Sequence, residues 1–210
     1  MAGAALITGG AKRIGKSFSL ALAKSGYDIA VHYSNSKFAA EEVVQEAKLF
    51  GVNAVALRAD FNKDNEIEGL VNIATERLGK KLTVLVNNAS TFEPDTIFDI
   101  TLDSWDKHIN SNTKAPVFLA SAFAKQAPKA SNDVNGEKLA VANIINMIDQ
   151  KVLRLTPWYL TYTLGKTALW TLTRTMAQGL APHIRVNAIG PGPVLKAKDQ
   201  SELEFKQQRH

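Results

Sequence analysis

Short apolar runs alternate along the chain with longer stretches in which apolar side chains return every three or four positions. Residues 4–7, 28–33, 53–57, 82–86, 139–147 and 184–189 are short and mainly apolar, the pattern of strands buried on both faces. Between them, residues 14–25, 37–50, 66–78, 102–126 and 158–180 carry the helical period. Gly26 and Gly51 stand where the first two helices should end. Strand and helix in alternation predict an α/β protein, a doubly wound parallel sheet covered by helices on both faces. No internal repeat or linker divides the pattern, so a single domain over residues 1–210 is expected. Residues 128–137, with Ser, Asn, Asp and Gly among them, form the one flexible-looking loop.

Composition narrows the function classes. Apolar residues make up 45% of the chain and charged residues 21%, the balance of a folded globular protein. No apolar run approaches the roughly 20 residues of a membrane span, so no membrane partner is expected. The N-terminus lacks a charged region before its first apolar run, and no signal peptide is read there. The absence of cysteine excludes disulfides, thiolate metal ligation and cysteine catalysis, and no metal site is expected. It also suits a reducing cytosol, so a cytoplasmic location is expected. The net charge of +5 does not signal nucleic acid, because the cations are interspersed with acids. Lys37 precedes Glu41 and Glu42, and Arg77 follows Glu76. A few cations are left for an anionic cofactor.

The first strand runs into Thr8-Gly9-Gly10-Ala11-Lys12-Arg13-Ile14-Gly15, inside which a helix begins. Glycines at such a turn let the backbone approach a pyrophosphate that the helix N-terminus attracts. The second strand ends in His32-Tyr33-Ser34-Asn35-Ser36-Lys37, with no acid to bind the ribose 2′-hydroxyl of NAD. Ser34, Ser36, Lys37, Lys12 and Arg13 suit a 2′-phosphate instead, which favours NADPH.

Candidate chemistry lies further on. Tyr162 and Lys166 are four apart on a predicted helix and share one face. Asp149 lies thirteen residues before Tyr162, just past the end of a predicted strand. A phenol titrating near ~10 and a carboxyl near ~4 can together pass a proton to a substrate near neutral pH. Lys166 should favour the phenolate and lower the phenol pKa. Asp149 also suits a helix N-cap, although Pro157 puts the helix start later. Tyr33 and Lys37 have the same four-residue spacing but lie at a strand end, and that pair is a decoy. Pro116 has no N–H to offer the carbonyl of Asn112, four residues back, leaving it free for a water.

Taken in order, Thr8-Gly9 to Gly15, Asp60, Asn87-Asn88-Ala89, Asn112, Tyr162-x-x-x-Lys166 and Pro191-Gly192 resemble the short-chain dehydrogenase/reductase family over nearly the whole chain. The resemblance implies a Rossmann-type fold and a nicotinamide-dependent oxidoreductase. Within the family the likeness is closest to pteridine and dihydromonapterin reductases. Arg13 stands where a glycine is usual, Ser90-Thr91-Phe92 follows Asn-Asn-Ala, and Asp149 replaces the usual catalytic serine. The likeness implies that Gly9, Lys12, Arg13, Ile14, Tyr33, Ser34, Ser36, Asp60, Asn88, Ala89, Ser90, Lys166, Pro191 and Gly192 contact the cofactor. It implies that Arg13, Ser90, Phe92, Asp149 and Tyr162 contact the substrate, with Phe92 stacked on a pterin and Asp60 near the adenine. Tyr159 resembles a further substrate contact. The catalytic set would be Asp149, Tyr162, Lys166 and Asn112, whose carbonyl would hold a proton-relay water.

The implied reaction is NADPH-dependent reduction of a dihydropterin such as dihydrobiopterin, dihydromonapterin or dihydrofolate. A carbonyl reductase such as a 3-oxoacyl-thioester reductase is the alternative. A non-catalytic NADP-binding regulator would show a broken Tyr/Lys pair, and here the pair is intact. Family members continue past Pro191-Gly192 with a substrate lid, another helix and a final strand. Residues 193–210 resemble an incomplete lid, so those last elements are expected to be missing and residues 184–189 to form a sheet edge. A homo-oligomer, dimer or tetramer, is expected.

Overall fold

Six parallel strands form one sheet in the order β3-β2-β1-β4-β7-β8. They are β1 (Ala4–Ile7), β2 (Asp28–Tyr33), β3 (Ala54–Arg58), β4 (Leu82–Asn87), β7 (Ala142–Met147) and β8 (Ile184–Ile189). The computed structural model describes residues 3–192, 194 and 201. The expected lid over residues 193–210 lies almost wholly outside them. Among the described residues β8 is one edge of the sheet and β3 the other.

Helices cover both faces. Helices α1 (Arg13–Lys24) and α2 (Lys37–Lys48) lie on one side, over a core that includes Ile7, Ile29, Val31 and Val43. On the other side α3 (Asp64–Leu78), α5 (Ala115–Gln126) and α6 (Leu160–Leu180) pack over Leu6, Leu70, Leu85, Leu119, Phe123 and Ile144. Burying each of these apolar side chains stabilises the fold by about 2 kcal/mol.

The chain winds outward from β1 to β2 and β3, then returns to place β4 on the other flank of β1. The carboxyl ends of β1 and β4 therefore diverge into a crevice, where such folds place their ligands. Its floor is tied down by Thr8 and Asn88. The Thr8 Oγ1 accepts from the N–H groups of Asn88 and Ala89, both at 2.9 Å, and Asn88 Nδ2 donates to the Thr8 carbonyl at 2.9 Å.

Two expected elements differ. Leu139 belongs to a two-stranded hairpin, β5 (Ser131–Asn132) with β6 (Lys138–Leu139), and the sheet strand starts at Ala142. The expected loop over 128–137 thus contains a strand and a turn at Gly136. The helix expected over 102–126 is split into α4 (Leu102–Ile109) and α5 by one π turn, Asn110–Lys114. The missing N–H of Pro116 explains the widened turn, in which Ala115 N–H returns to Asn110 instead.

Candidate active site

Glycine backbone forms the turn at the start of the crevice. Gly9 has a left-handed backbone, φ 60°, and a Cβ there would lie 3.0 Å from the Ala89 Cα. A Cβ on Gly15 would fall 2.1 Å from the Gly9 carbonyl oxygen. The two glycines let β1, the first turn of α1 and the loop after β4 close on one another. No side chain caps α1 and no acid stands in its first turn, so its positive end is kept for an anion. These features fit a dinucleotide.

Two cavities meet at Ser90. The first, about 240 Å³, is lined by Gly9, Ser34, Asp60, Ala89 and Ser90, with His32 and Phe61 behind them. The second, about 190 Å³, brings together Arg13, Ile14, Asn88, Ser90, Asp149, Tyr162, Lys166, Pro191 and Gly192. Lys12, Tyr33, Ser36, Lys37 and Asn112 line neither cavity. Lys12, exposed, is the N-cap residue of α1, Ser36, half-buried, is that of α2, and Lys37 pairs with Glu41 at 3.8 Å. Tyr33 ends β2 half-buried, and its carbonyl accepts from Ala59. Asp60 both lines the first cavity and forms a turn, its Oδ1 accepting from the N–H of Asn62 at 3.0 Å.

Asn112 is fully buried, and its side chain is structural. Ser90 Oγ donates to its Oδ1 at 2.8 Å, and its Nδ2 donates to the Thr91 carbonyl at 3.0 Å. It pins the loop that leads to Phe92. That ring stacks face to face on Tyr159, 4.3 Å between centres and 2° apart, and meets the edge of Tyr162 at 4.7 Å.

The expected proton group is assembled. Tyr162 Oη donates to Asp149 Oδ2 at 2.7 Å, while Asp149 Oδ1 accepts from the Lys151 N–H at 2.8 Å and caps a short 3-10 turn, Gln150–Val152. Asp149 thus bonds the phenol with one oxygen and with the other caps this short turn, not the helix bearing Tyr162, whose N-cap residue is Tyr159. Lys166 Nζ donates to the Met147 carbonyl at 2.8 Å and lies 5.7 Å from the Tyr162 ring centre. Burial lowers the Lys166 pKa to about 8. The phenol behaves opposite to expectation. Burial first, then the charge and hydrogen bond of Asp149, raise its pKa well above the ordinary value. Phenolate would be poorly solvated and would face a carboxylate, so Tyr162 stays protonated.

His32 escaped the sequence reading. It is buried, its Nδ1 accepts from the Gly9 N–H at 3.0 Å, and its Nε2 faces the Ala59 carbonyl at 3.1 Å. Stacked on Phe61 at 4.5 Å, it ties the glycine turn to the loop after β3. Burial lowers its pKa to about 4, so it remains neutral and keeps this bonding. A lone histidine in an apolar strand beside a glycine turn was the available signal. Among the described residues, Arg13 and Tyr159 are the two non-glycine residues with left-handed backbone, at φ 50° and 61°, and both border the catalytic cluster. Such conformations persist where surrounding structure fixes them, commonly at functional sites.

The model of the short chain dehydrogenase family matches residues 3–207. The FolM alternative dihydrofolate reductase 1 of Brucella suis, in complex with NADP, is 39% identical with a TM-score of 0.88; the match covers 98% of this chain and 78% of that one. The Brucella canis counterpart, also complexed with NADP, is 40% identical with a TM-score of 0.87, over 97% and 77% of the two chains. The 3-oxoacyl-[acyl-carrier-protein] reductase FabG of Staphylococcus epidermidis is 33% identical over 189 residues, 90% of this chain and 73% of that protein. With the Tyr162/Lys166 pair, the glycine turn and the parallel sheet in place, the chain belongs to the short-chain dehydrogenase family of oxidoreductases.

Proposed function

We propose that the protein reduces a dihydropterin with NADPH. The observation that carries this is the 2.7 Å bond from the Tyr162 hydroxyl to the Asp149 carboxylate beside the Phe92 ring. A serine at 149 would polarise a carbonyl. A carboxylate instead accepts from the adjacent ring N–H and amino donors that a pterin presents. Likeness to the two FolM proteins supports the same substrate class. Likeness to FabG favours a 3-oxoacyl thioester, but Asp149 and Phe92 offer such a substrate neither a neutral hydroxyl donor nor a reason for an exposed aromatic ring.

NADPH would lie along the two cavities, over Gly9, Asn88 and Ala89, with Ser34 and Arg13 towards its phosphates and Lys166 towards the nicotinamide ribose. When bound it supplies the hydride that the carbon of a C=N bond receives. The ring nitrogen must then gain a proton, and Tyr162, kept protonated by burial and by Asp149, is placed to donate it. The phenolate left behind is favoured by the Lys166 ammonium, which predominates at neutral pH with a pKa of about 8. Asp149, held by Lys151 N–H, orients the phenol and the pterin and helps restore the proton. Asn112 serves by fixing Ser90 and Thr91; a relay water on its carbonyl is compatible with the missing N–H of Pro116.

A homo-oligomer suits the apolar side chains exposed around α4 and α5, including Phe98, Leu102, Trp105 and Phe118. No described helix is long and apolar enough to cross a membrane, and a cytoplasmic location fits a chain without cysteine.

Phe92→Ala tests the substrate class. Stacking worth about 1 kcal/mol beyond burial would be lost, so the KM for dihydropterin should rise at least about fivefold while NADPH affinity, read by fluorescence titration, holds. Equal weakening of both ligands would mark Phe92 as a packing residue and remove this support.

A further inference from the structure

The helix turn that carries Tyr162 is capped from another loop. Tyr159, at the N-cap position of α6, has left-handed backbone and no capping side chain. The first N–H groups of α6 would then lack partners. Asp95 supplies them from the loop after β4, sixty-six residues before Thr161. Its carbonyl accepts from Leu160 N–H at 3.2 Å, its Oδ1 accepts from Thr161 N–H at 3.1 Å, and its Oδ2 accepts from the Thr161 hydroxyl. A carboxylate here also matches the positive end of the helix.

The cap continues into a buried chain. His108 Nδ1 lies 2.7 Å from Thr161 Oγ1 and 2.8 Å from the Ser104 carbonyl, while its Nε2 accepts from the Glu93 N–H at 3.1 Å. Accepting at Nε2 places the ring proton on Nδ1. Asp95 is 4% exposed and Thr161 and His108 are 0% exposed, and none of the three lines either cavity. Both ends of this chain return to the segment that bears Phe92, through Glu93 and Asp95, and its middle is the residue before Tyr162.

We propose that Asp95 is a positioning residue: with Thr161 and His108 it holds the turn bearing Tyr162 in register with the loop bearing Phe92. The cap comes from that loop, and the ring of Tyr159, at the N-cap position, stacks on Phe92 of the same loop. A displacement of about 1 Å at a proton donor can cost on the order of 100-fold in rate, so a network that fixes its helix turn acts on kcat.

This inference rests on Tyr162 as the proton donor, not on the pterin. The test therefore uses whichever of a dihydropterin and an acetoacetyl thioester the wild-type protein turns over faster, so a wrong substrate class leaves it intact. Asp95→Ala should lower kcat at least ~10-fold while NADPH affinity stays within about twofold of wild type. Should that variant not fold, Thr161→Val should lose kcat in the same way and Thr161→Ser, which keeps the hydroxyl, should retain it. Unchanged kcat in Asp95→Ala or Thr161→Val overturns the proposal. So does a fall in kcat matched by an equal fall in NADPH affinity, which would mark a role in folding alone.

Discussion

Tyr162→Phe is expected to lower turnover at least ~100-fold, the scale of a lost general acid. The substitution removes one oxygen and keeps the ring. Packing against Phe92 at 4.7 Å and His108 at 6.5 Å is preserved, so the fold and NADPH affinity should hold. What disappears is the hydroxyl that donates to Asp149 Oδ2 at 2.7 Å, in the cavity that Asp149 and Lys166 share. The measurement is kcat from NADPH oxidation, set beside melting temperature. A folded Tyr162→Phe protein with near wild-type kcat would remove Tyr162 from the chemistry and leave Asp149 as the donor.

Gly15→Ala should act on cofactor binding with comparable force. Its new methyl would begin 2.1 Å from the Gly9 carbonyl oxygen and 2.6 Å from Asn88 Nδ2. The first neighbour is backbone and cannot rotate away. Either the glycine turn or α1 must shift, and overpacking of this kind costs about 1–3 kcal/mol. Because the turn itself faces the crevice, NADPH affinity should fall about 10- to 100-fold, with a lower melting temperature. Tight NADPH binding to Gly15→Ala would mean that the turn does not contact the cofactor.

The sheet was legible where apolar runs are bounded by turn residues. Strands 28–33 and 184–189 coincide with β2 and β8, because local composition marks a buried parallel strand whatever its neighbours are. Residues 139–147 were less legible: Leu139 is as apolar as Ile144, and only pairing with Ser131 assigns it to the hairpin. The π turn had a visible cause in Pro116 but no visible extent. The pairing of Asp149 with Tyr162 could be read because one strand end and the next helix bring them together. The opposite sign of the phenol shift could not, since burial is a tertiary property. Tyr33, Ser36 and Lys37 were drawn in by residue type, and they line neither cavity, although their neighbour Ser34 lines the first. Asp95, His108 and Thr161 are joined across more than fifty residues, and no period or spacing in the sequence announces such a contact.

The most direct test of the pterin assignment is a comparison of kcat/KM for NADPH oxidation with dihydrobiopterin, dihydromonapterin, dihydrofolate and an acetoacetyl thioester, using one preparation of the protein. A carboxylate at 149 and an aromatic ring at 92 call for oxidation with at least one of the pterins at a kcat/KM well above that for the thioester. Oxidation with the thioester and with none of the pterins would contradict the assignment and leave a carbonyl reductase built on the same Tyr162 and Lys166.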